Sequence, residues 1–309
     1  MKDMSLSAKV EGNTDQSSGA GQSYKDTDIY KCYKRSPYSS IKHSSYFHAY
    51  EDLFSSYRGR EITFVEVGIL NGGSLFMWQE FFGPKARIIG LDFNPAAKRW
   101  EQDGFEIHIG DQANPEFWQE LFAKIGKVDI LLDDGGHTFE QQIVTVCEAL
   151  PHVRDGGLIA VEDTHTSYFK DFGYPTPYSF IEWTKVIVDN INSRFPGINQ
   201  PFSTLPYKDS VFSLHFYESI VGFKIRRDIC VPSHPVSNGA PNRQHEDFRN
   251  KDSLIGTVEE RSNALSRRLA FLRNMPFLWR TLSAAKRVTV TAVGRYYYKA
   301  RLRRLRHLF

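Results

Sequence analysis

The sequence predicts an α/β protein: a doubly wound, mostly parallel sheet with an antiparallel hairpin at one edge. Three observations predict it. Short apolar runs alternate with helix-period segments from about residue 60 to about residue 160, the rhythm of successive βαβ units. A glycine-rich turn, Gly68 to Gly73, follows the first of these runs. Acidic residues close most of the later runs, which gathers them along the carboxyl edge of the sheet, where open α/β folds bind their ligands.

Residues 62–67 read as the first strand and 74–82 as its helix. Residues 87–91 form the second strand, followed by a helix over 96–102; residues 106–109 form the third, followed by a helix over 115–125 that Asn114 caps. Residues 128–132 and 158–161 are the fourth and fifth strands, with a helix over 138–150 between them. These last two strands are short apolar runs, as expected of parallel strands buried on both faces. After a helix over 180–195, two β-rich runs, 211–217 and 220–225, flank Glu218-Ser219 and signal a hairpin. Ahead of the sheet, aromatics and Leu53 recur at helical intervals over 40–57.

This reading sets the domain at residues 40–227. Residues 1–39, whose first part is rich in Ser, Gly, Asp, Lys and Gln, are expected to be disordered. Residues 228–260 read as a linker or exposed loop and 261–309 as a basic, amphipathic tail. The formal charge of +3 conceals this division: the last 49 residues hold 13 Lys or Arg and no acid, leaving 26 basic and 36 acidic groups in residues 1–260. Cys32, Cys147 and Cys230 form no CxxC pair, which excludes a zinc cage or disulfide framework and suggests a reducing compartment. With no apolar leader and no run of about 18 apolar residues, a cytoplasmic protein is expected.

The chemistry concentrates at strand ends. Asp133-Asp134-Gly135-Gly136-His137 follows the fourth strand and Glu162-Asp163-Thr164-His165 the fifth. Carboxylates crowded in a cleft need a cation or proton to neutralise them, so the pair reads as a hard-metal site with a base beside it. The turn Glu66-Val67-Gly68-Ile69-Leu70-Asn71-Gly72-Gly73-Ser74 joins the first strand to its helix. Gly68 permits a tight turn, Gly72 and Gly73 permit close backbone approach, and the helix amides from Ser74 onward face the ligand. Its spacing is neither the dinucleotide GxGxxG nor the phosphate-binding GK[ST], which weighs against NAD and ATP. Asp92, closing the second strand, suits the ribose hydroxyls of a nucleoside; Asp111, closing the third, suits an adenine amino group; Glu66 suits an amino-acid moiety or orients the loop.

Taken together, the turn, Asp92, Asp111, Asp133-Asp134 and Glu162-Asp163 resemble class I S-adenosylmethionine-dependent methyltransferases. Within that class, VEVGILNGGSLFMW, DDGGH and VEDTHTSY in this order are similar to metal-dependent sugar O-methyltransferases of macrolide and other glycoside pathways, over residues 40–227. The resemblance implies a Rossmann-like domain with S-adenosylmethionine as methyl donor. It implies Asp134, Glu162 and Asp163 as ligands of Mg²⁺, with Mn²⁺ or Ca²⁺ compatible, and His137 as general base. Asp133 is expected to support the loop or touch the cofactor, and His165 and Tyr168 to line the acceptor pocket. Lys42, His43, Tyr46 and Tyr50 read either as a lid over the cofactor or as core. About 60 residues precede the first strand where the macrolide enzymes have a large extension, which leaves the oligomeric state and the acceptor open.

The expected activity is Mg²⁺-assisted O-methylation of a sugar hydroxyl in a glycoside or cell-surface saccharide. Cephalosporin-hydroxylase-like enzymes share this core and form the alternative, with a non-catalytic nucleoside-binding module as a third reading. The basic tail suits an anionic membrane surface, the acidic body or a second subunit. Nucleic acid is not expected, because no nucleic-acid-binding fold accompanies the charge.

Overall fold

The computed structural model describes residues 23–173, 176–198, 205–241 and 253–303. The expectations for residues 1–22, for the middle of the 228–260 linker and for Arg304 and Arg306 of the tail lie outside the described residues. The chain divides into two units, residues 1–235 and 236–309.

The first unit is built on a seven-stranded sheet: β1 (Thr63–Val67), β2 (Arg87–Asp92), β3 (Glu106–Ile109), β4 (Val128–Asp133), β5 (Val153–Val161), β6 (Val211–Tyr217) and β7 (Ile220–Ile225). Their order across the sheet is β3-β2-β1-β4-β5-β7-β6. The first five are parallel; β7 pairs antiparallel with β5, and β6 with β7. The expected hairpin is therefore present, and its second strand is inserted next to β5 while the first forms the rim. The order of strand addition reverses between β1 and β4, where crossovers leave to opposite sides and open a crevice at the carboxyl ends.

Alternate residues of each strand feed two cores. Phe64, Ile130 and Leu132 pack on one face with Trp78, Phe81 and Phe82 of α3 (Gly73–Phe82). Val65, Val67 and Leu131 pack on the other with Trp118 and Phe122 of α4 (Pro115–Ile125) and Val146 of α5 (Phe139–Ala149). Asn114 caps α4 by accepting from the Glu116 amide, as expected from sequence. Thr138 and Gln141 form a reciprocal capping box at the start of α5, which anchors the loop just after His137. The helix expected over 96–102 is a 3₁₀ segment from Pro95 to Asp103, and α6 (Phe180–Asn192) is shorter than predicted.

One expectation is corrected here. The segment assigned to disorder carries a helix, α1 (Asp28–Arg35), with Ile29 and Cys32 fully inside the core. Its Thr27 cap accepts from the Tyr30 amide, and the Ile29 amide donates to Glu51 of the following helix, α2 (Tyr46–Phe54). Tyr24, Tyr30 and Tyr33 surround Phe47 at ring-centroid distances of 5.0–5.9 Å. Aromatic packing of this kind recruits a polar-looking segment to the core.

The second unit contains α7 (Leu254–Arg268) and α8 (Pro276–Leu302). α7 begins inside the stretch expected to be linker. Gly294 of α8 is buried where Ile255 of α7 packs, and Lys286 donates to Asn263. Among the described residues no helix is long and apolar enough to cross a membrane.

Candidate active site

A cavity of about 440 Å³ opens at the carboxyl edge of the sheet, lined by the β1–α3 turn and the ends of β2, β3 and β4. Gly68, Ser74, Asp92 and Asp111 lie in its wall, joined by Asp134 and His137. At Gly68, with φ at +81°, a β-carbon would meet the Asp134 carbonyl oxygen at 2.1 Å, so glycine lets β1 and β4 deliver their loops side by side. Asp92 Oδ2 accepts from the Ile69 and Leu70 amides and its Oδ1 from the Asn94 amide, which fixes the carboxylate at the cavity rim. Asp111 accepts from the Ala113 amide.

Three other residues expected to bind the cofactor lie behind this wall. Glu66 is fully buried, accepting from Ser74 Oγ and Trp78 Nε1, so it orients the loop from beneath. Burial pushes its carboxyl up to about 7, against the opposing effect of the Lys42 charge. Gly72 sits where a β-carbon would strike the Trp100 ring. Asp133 accepts from Gln112 Nε2 and the Gly135 amide, and burial raises it to about 6. Gln112 Oε1 in turn accepts from the Gly136 amide. The two glycines of the Asp-Asp-Gly-Gly-His loop are thus fastened from behind, presenting Asp134 and His137 forward.

Beside the cavity, Asp134, His137 and Asp163 converge, each offering one donor atom within 4.8 Å of the others. His137 Nε2 lies 3.3 Å from Asp163 Oδ2, while the buried His137 Nδ1 has no hydrogen-bond partner. Glu162 lies deeper, at 0% exposure. Its Oε1 accepts from the Tyr50 hydroxyl at 2.5 Å, and its Oε2 receives the Lys42 ammonium at 3.0 Å. The same ammonium lies 2.6 Å from Asp134 Oδ2, and only 2% of the Lys42 side chain is exposed. Burial works against the charge on Lys42, but Asp134 and Glu162 outweigh it and hold the amine well above its usual range. Burial, reinforced by the Asp134 charge, pushes Glu162 upward. Burial and the adjoining carboxylates also keep Tyr46 and Tyr50 neutral as donors.

Tyr46 donates to Asp163 Oδ1, and its hydroxyl lies 3.0 Å from Ser219 Oγ. Ser219, at the tip of the β6–β7 hairpin, also receives the His165 amide and contacts His165 Nδ1 at 2.5 Å. His165 is therefore part of the cluster's outer wall. Tyr168 is 59% exposed on the 3₁₀ segment Thr164–Tyr168, beyond the cavity lining. Ser39, Ser40 and Ile41 line the cavity just ahead of Lys42, whereas Lys42, His43, Tyr46 and Tyr50 are not among its lining residues. Tyr46 and Tyr50 belong to the core at their rings and to the site at their hydroxyls. Sequence reasoning missed Gln112 and Ser219. Gln112 directly follows Asp111 and carried a local signal, whereas only the sheet order brings Ser219 to the site.

Residues 65–164 match the family model of a methyltransferase domain. The chain is 38% identical over 131 residues to demethylmacrocin O-methyltransferase of Streptomyces fradiae, covering 40% of this chain and 33% of that one. It is 30% identical over 188 residues to 8-demethyl-8-alpha-L-rhamnosyl tetracenomycin-C 2'-O-methyltransferase of Streptomyces olivaceus, covering 57% and 49%. Among solved structures it is similar to the MycE methyltransferase of the mycinamycin biosynthetic pathway in complex with Mg and SAH. The TM-score is 0.59 at 26% identity, over 65% of this chain and 55% of that one. The chain thus spans between a third and a half of the curated relatives' length. Its α/β unit matches a methyltransferase-domain model over residues 65–164, has a Rossmann-like fold, and is similar in sequence and fold to sugar O-methyltransferases.

Proposed function

We propose that the chain transfers a methyl group from S-adenosylmethionine to a hydroxyl of a sugar-containing acceptor, with His137 as general base and a divalent cation assisting. One observation carries this reading: Asp134 and His137 belong both to the cavity wall and to the acidic cluster. A donor in the cavity and a hydroxyl at the cluster would then meet at a shared boundary, and juxtaposition of this kind supplies much of the rate in group transfer. The solved MycE complexes, with Mg and SAH and in one case with Mycinamycin VI, support the same assignment of ligands.

The cavity suits a nucleoside sulfonium, which supplies the electrophilic methyl. Asp92 is held at its rim to accept ribose hydroxyls, and Asp111 in the same wall would meet the adenine amino group. The cluster suits a hard cation: its donors are carboxylate oxygens and an imidazole with no thiol, and its Asp134, together with the deeper Glu162, already holds the positive Lys42 ammonium. Asp134 and Asp163 would hold Mg²⁺, with Glu162 as the third carboxylate. When bound, such an ion lowers the pKa of a neighbouring hydroxyl. His137 Nε2 takes the proton released there, and the Asp163 carboxylate stabilises the imidazolium that forms. Asp133 and Gln112 keep the loop in place while this happens, and His165 with Ser219 borders the acceptor.

The test is transfer of isotopically labelled methyl from S-adenosylmethionine to a panel of glycosides, with and without EDTA. Label recovered as a methyl ether on a sugar, lost on chelation and restored by Mg²⁺, supports the proposal. Activity indifferent to EDTA removes the metal, and turnover of no glycoside removes the acceptor class.

The second unit supports a peripheral role at an anionic membrane surface. α8 carries six basic residues and no acidic one, and exposes Phe277, Val288 and Tyr296. Aromatic and basic residues interleaved on a helix favour the headgroup region of anionic lipids.

A further inference from the structure

Resting on the metal-assisted reading above, one contact bears on how an ion would enter the site. Glu162 has little freedom to acquire a new partner. Tyr50 occupies its Oε1, Gln142 Nε2 donates to its main-chain carbonyl, and Lys42 occupies its Oε2. The same ammonium claims Asp134 Oδ2. A second cation placed on this carboxylate pair would stand within a few ångströms of the Lys42 charge, in a setting too dry to screen it.

We propose that the Lys42 ammonium and a divalent cation are alternative partners of the Asp134–Glu162 pair, so that the ion enters Glu162's reach only by expelling Lys42. Lys42 follows directly on Ser39, Ser40 and Ile41, which line the cofactor cavity. Expulsion of its side chain therefore acts on the strap that walls the cavity, and cofactor and metal affinities become linked through one residue. Linkage of this kind is reciprocal: whatever the ion does to cofactor affinity, the cofactor does to ion affinity. Lys42 is on this reading a positioning residue. In the metal-free protein it neutralises the carboxylates and keeps them gathered, and it gives way when the ion arrives.

The experiment reads metal binding directly, without turnover. Mn²⁺ binding to the full chain is followed by electron paramagnetic resonance for the wild type and for Lys42→Met, both free of cofactor. Removal of the competing charge is expected to tighten Mn²⁺ binding by about tenfold or more. Equal or weaker binding in a folded variant overturns the proposal while leaving the metal-assisted reading intact. Absence of binding in both proteins overturns both.

Because Lys42→Met leaves buried carboxylates without their cation and can fail to fold, the wild type supplies a second measurement. Lys42 acylation by an amine-reactive ester is mapped by mass spectrometry with and without Mn²⁺. The proposal expects Lys42 to be protected without the ion and to become reactive as the site fills. Protection that persists at Mn²⁺ concentrations shown by resonance to occupy the site overturns it.

Discussion

His137 Nε2 lies 3.3 Å from Asp163 Oδ2, and both residues hold left-handed backbone conformations, at φ of 59° and 55°. Leu70 in the cavity turn and Ser219 at the hairpin tip are the other non-glycine residues with positive φ among those described. All four border the site. Each such residue costs on the order of 1–3 kcal/mol and persists only where surrounding contacts over-determine it. Here the contacts are in place: Thr166 Oγ1 donates to the His137 carbonyl, and the Thr164 amide donates to that of Ser219.

His137→Asn tests the base without disturbing the backbone, because asparagine tolerates the left-handed region. Methyl transfer is expected to fall by about 10²- to 10⁴-fold, the usual worth of a positioned base. The melting temperature should stay near that of the wild type. Near-full activity in the folded variant would remove His137 from the proton transfer.

Asp92→Asn removes a charged acceptor whose two oxygens are held by three amides. Calorimetric titration with SAH should show affinity weakened by about ten- to a hundredfold, as for loss of a charged hydrogen bond. Unchanged affinity would mean that the ribose is held elsewhere.

Gly68→Ala should be among the most damaging single changes in the domain. The added carbon meets the Asp134 carbonyl oxygen at 2.1 Å on a backbone held at +81°. Urea unfolding is expected to register a loss of roughly 3 kcal/mol or more, in the range reserved for overpacking combined with backbone strain. A variant of wild-type stability would contradict the close approach of the β1 and β4 loops.

Glu66 gives stability a pH dependence of definite sign. Its carboxyl is raised from 4.5 to about 7 by burial. Below the unfolded value both states carry the proton. Between the two values the folded state keeps a proton that the unfolded state has released, so stability declines as pH rises through this window. Urea midpoints measured across it should fall less steeply in Glu66→Gln than in the wild type. Identical slopes would show that Glu66 does not titrate in this range.

The central strands β4 and β5 were legible because buried parallel strands are short apolar runs, and the strand-end acids were legible because few other places assemble carboxylates. Helix α1 was not, since its burial depends on tyrosines that scatter at 24, 30 and 33 and only become a surface once Phe47 is placed among them. Within the site, local motifs marked Asp134, His137, Glu162 and Asp163. They could not reveal that Lys42 shares two of these carboxylates, because that contact spans 92 and 120 residues of chain. The split among Glu66, Gly72 and Asp133 behind the wall and Gly68, Ser74, Asp92 and Asp111 within it is likewise a matter of side-chain direction, which a motif does not encode.

The place of β7 has a consequence for synthesis. The chain emerges from the ribosome in order, and the strands that wall the cavity, β1 to β4, are complete by Asp133. Ser219, which braces Tyr46 and His165, follows 86 residues later, and β7 must then slide in beside β5. A nascent chain can therefore possess the cavity well before the hairpin side of the acidic cluster exists. Early occupancy of that cavity would stabilise the half-made sheet while the last two strands are still awaited.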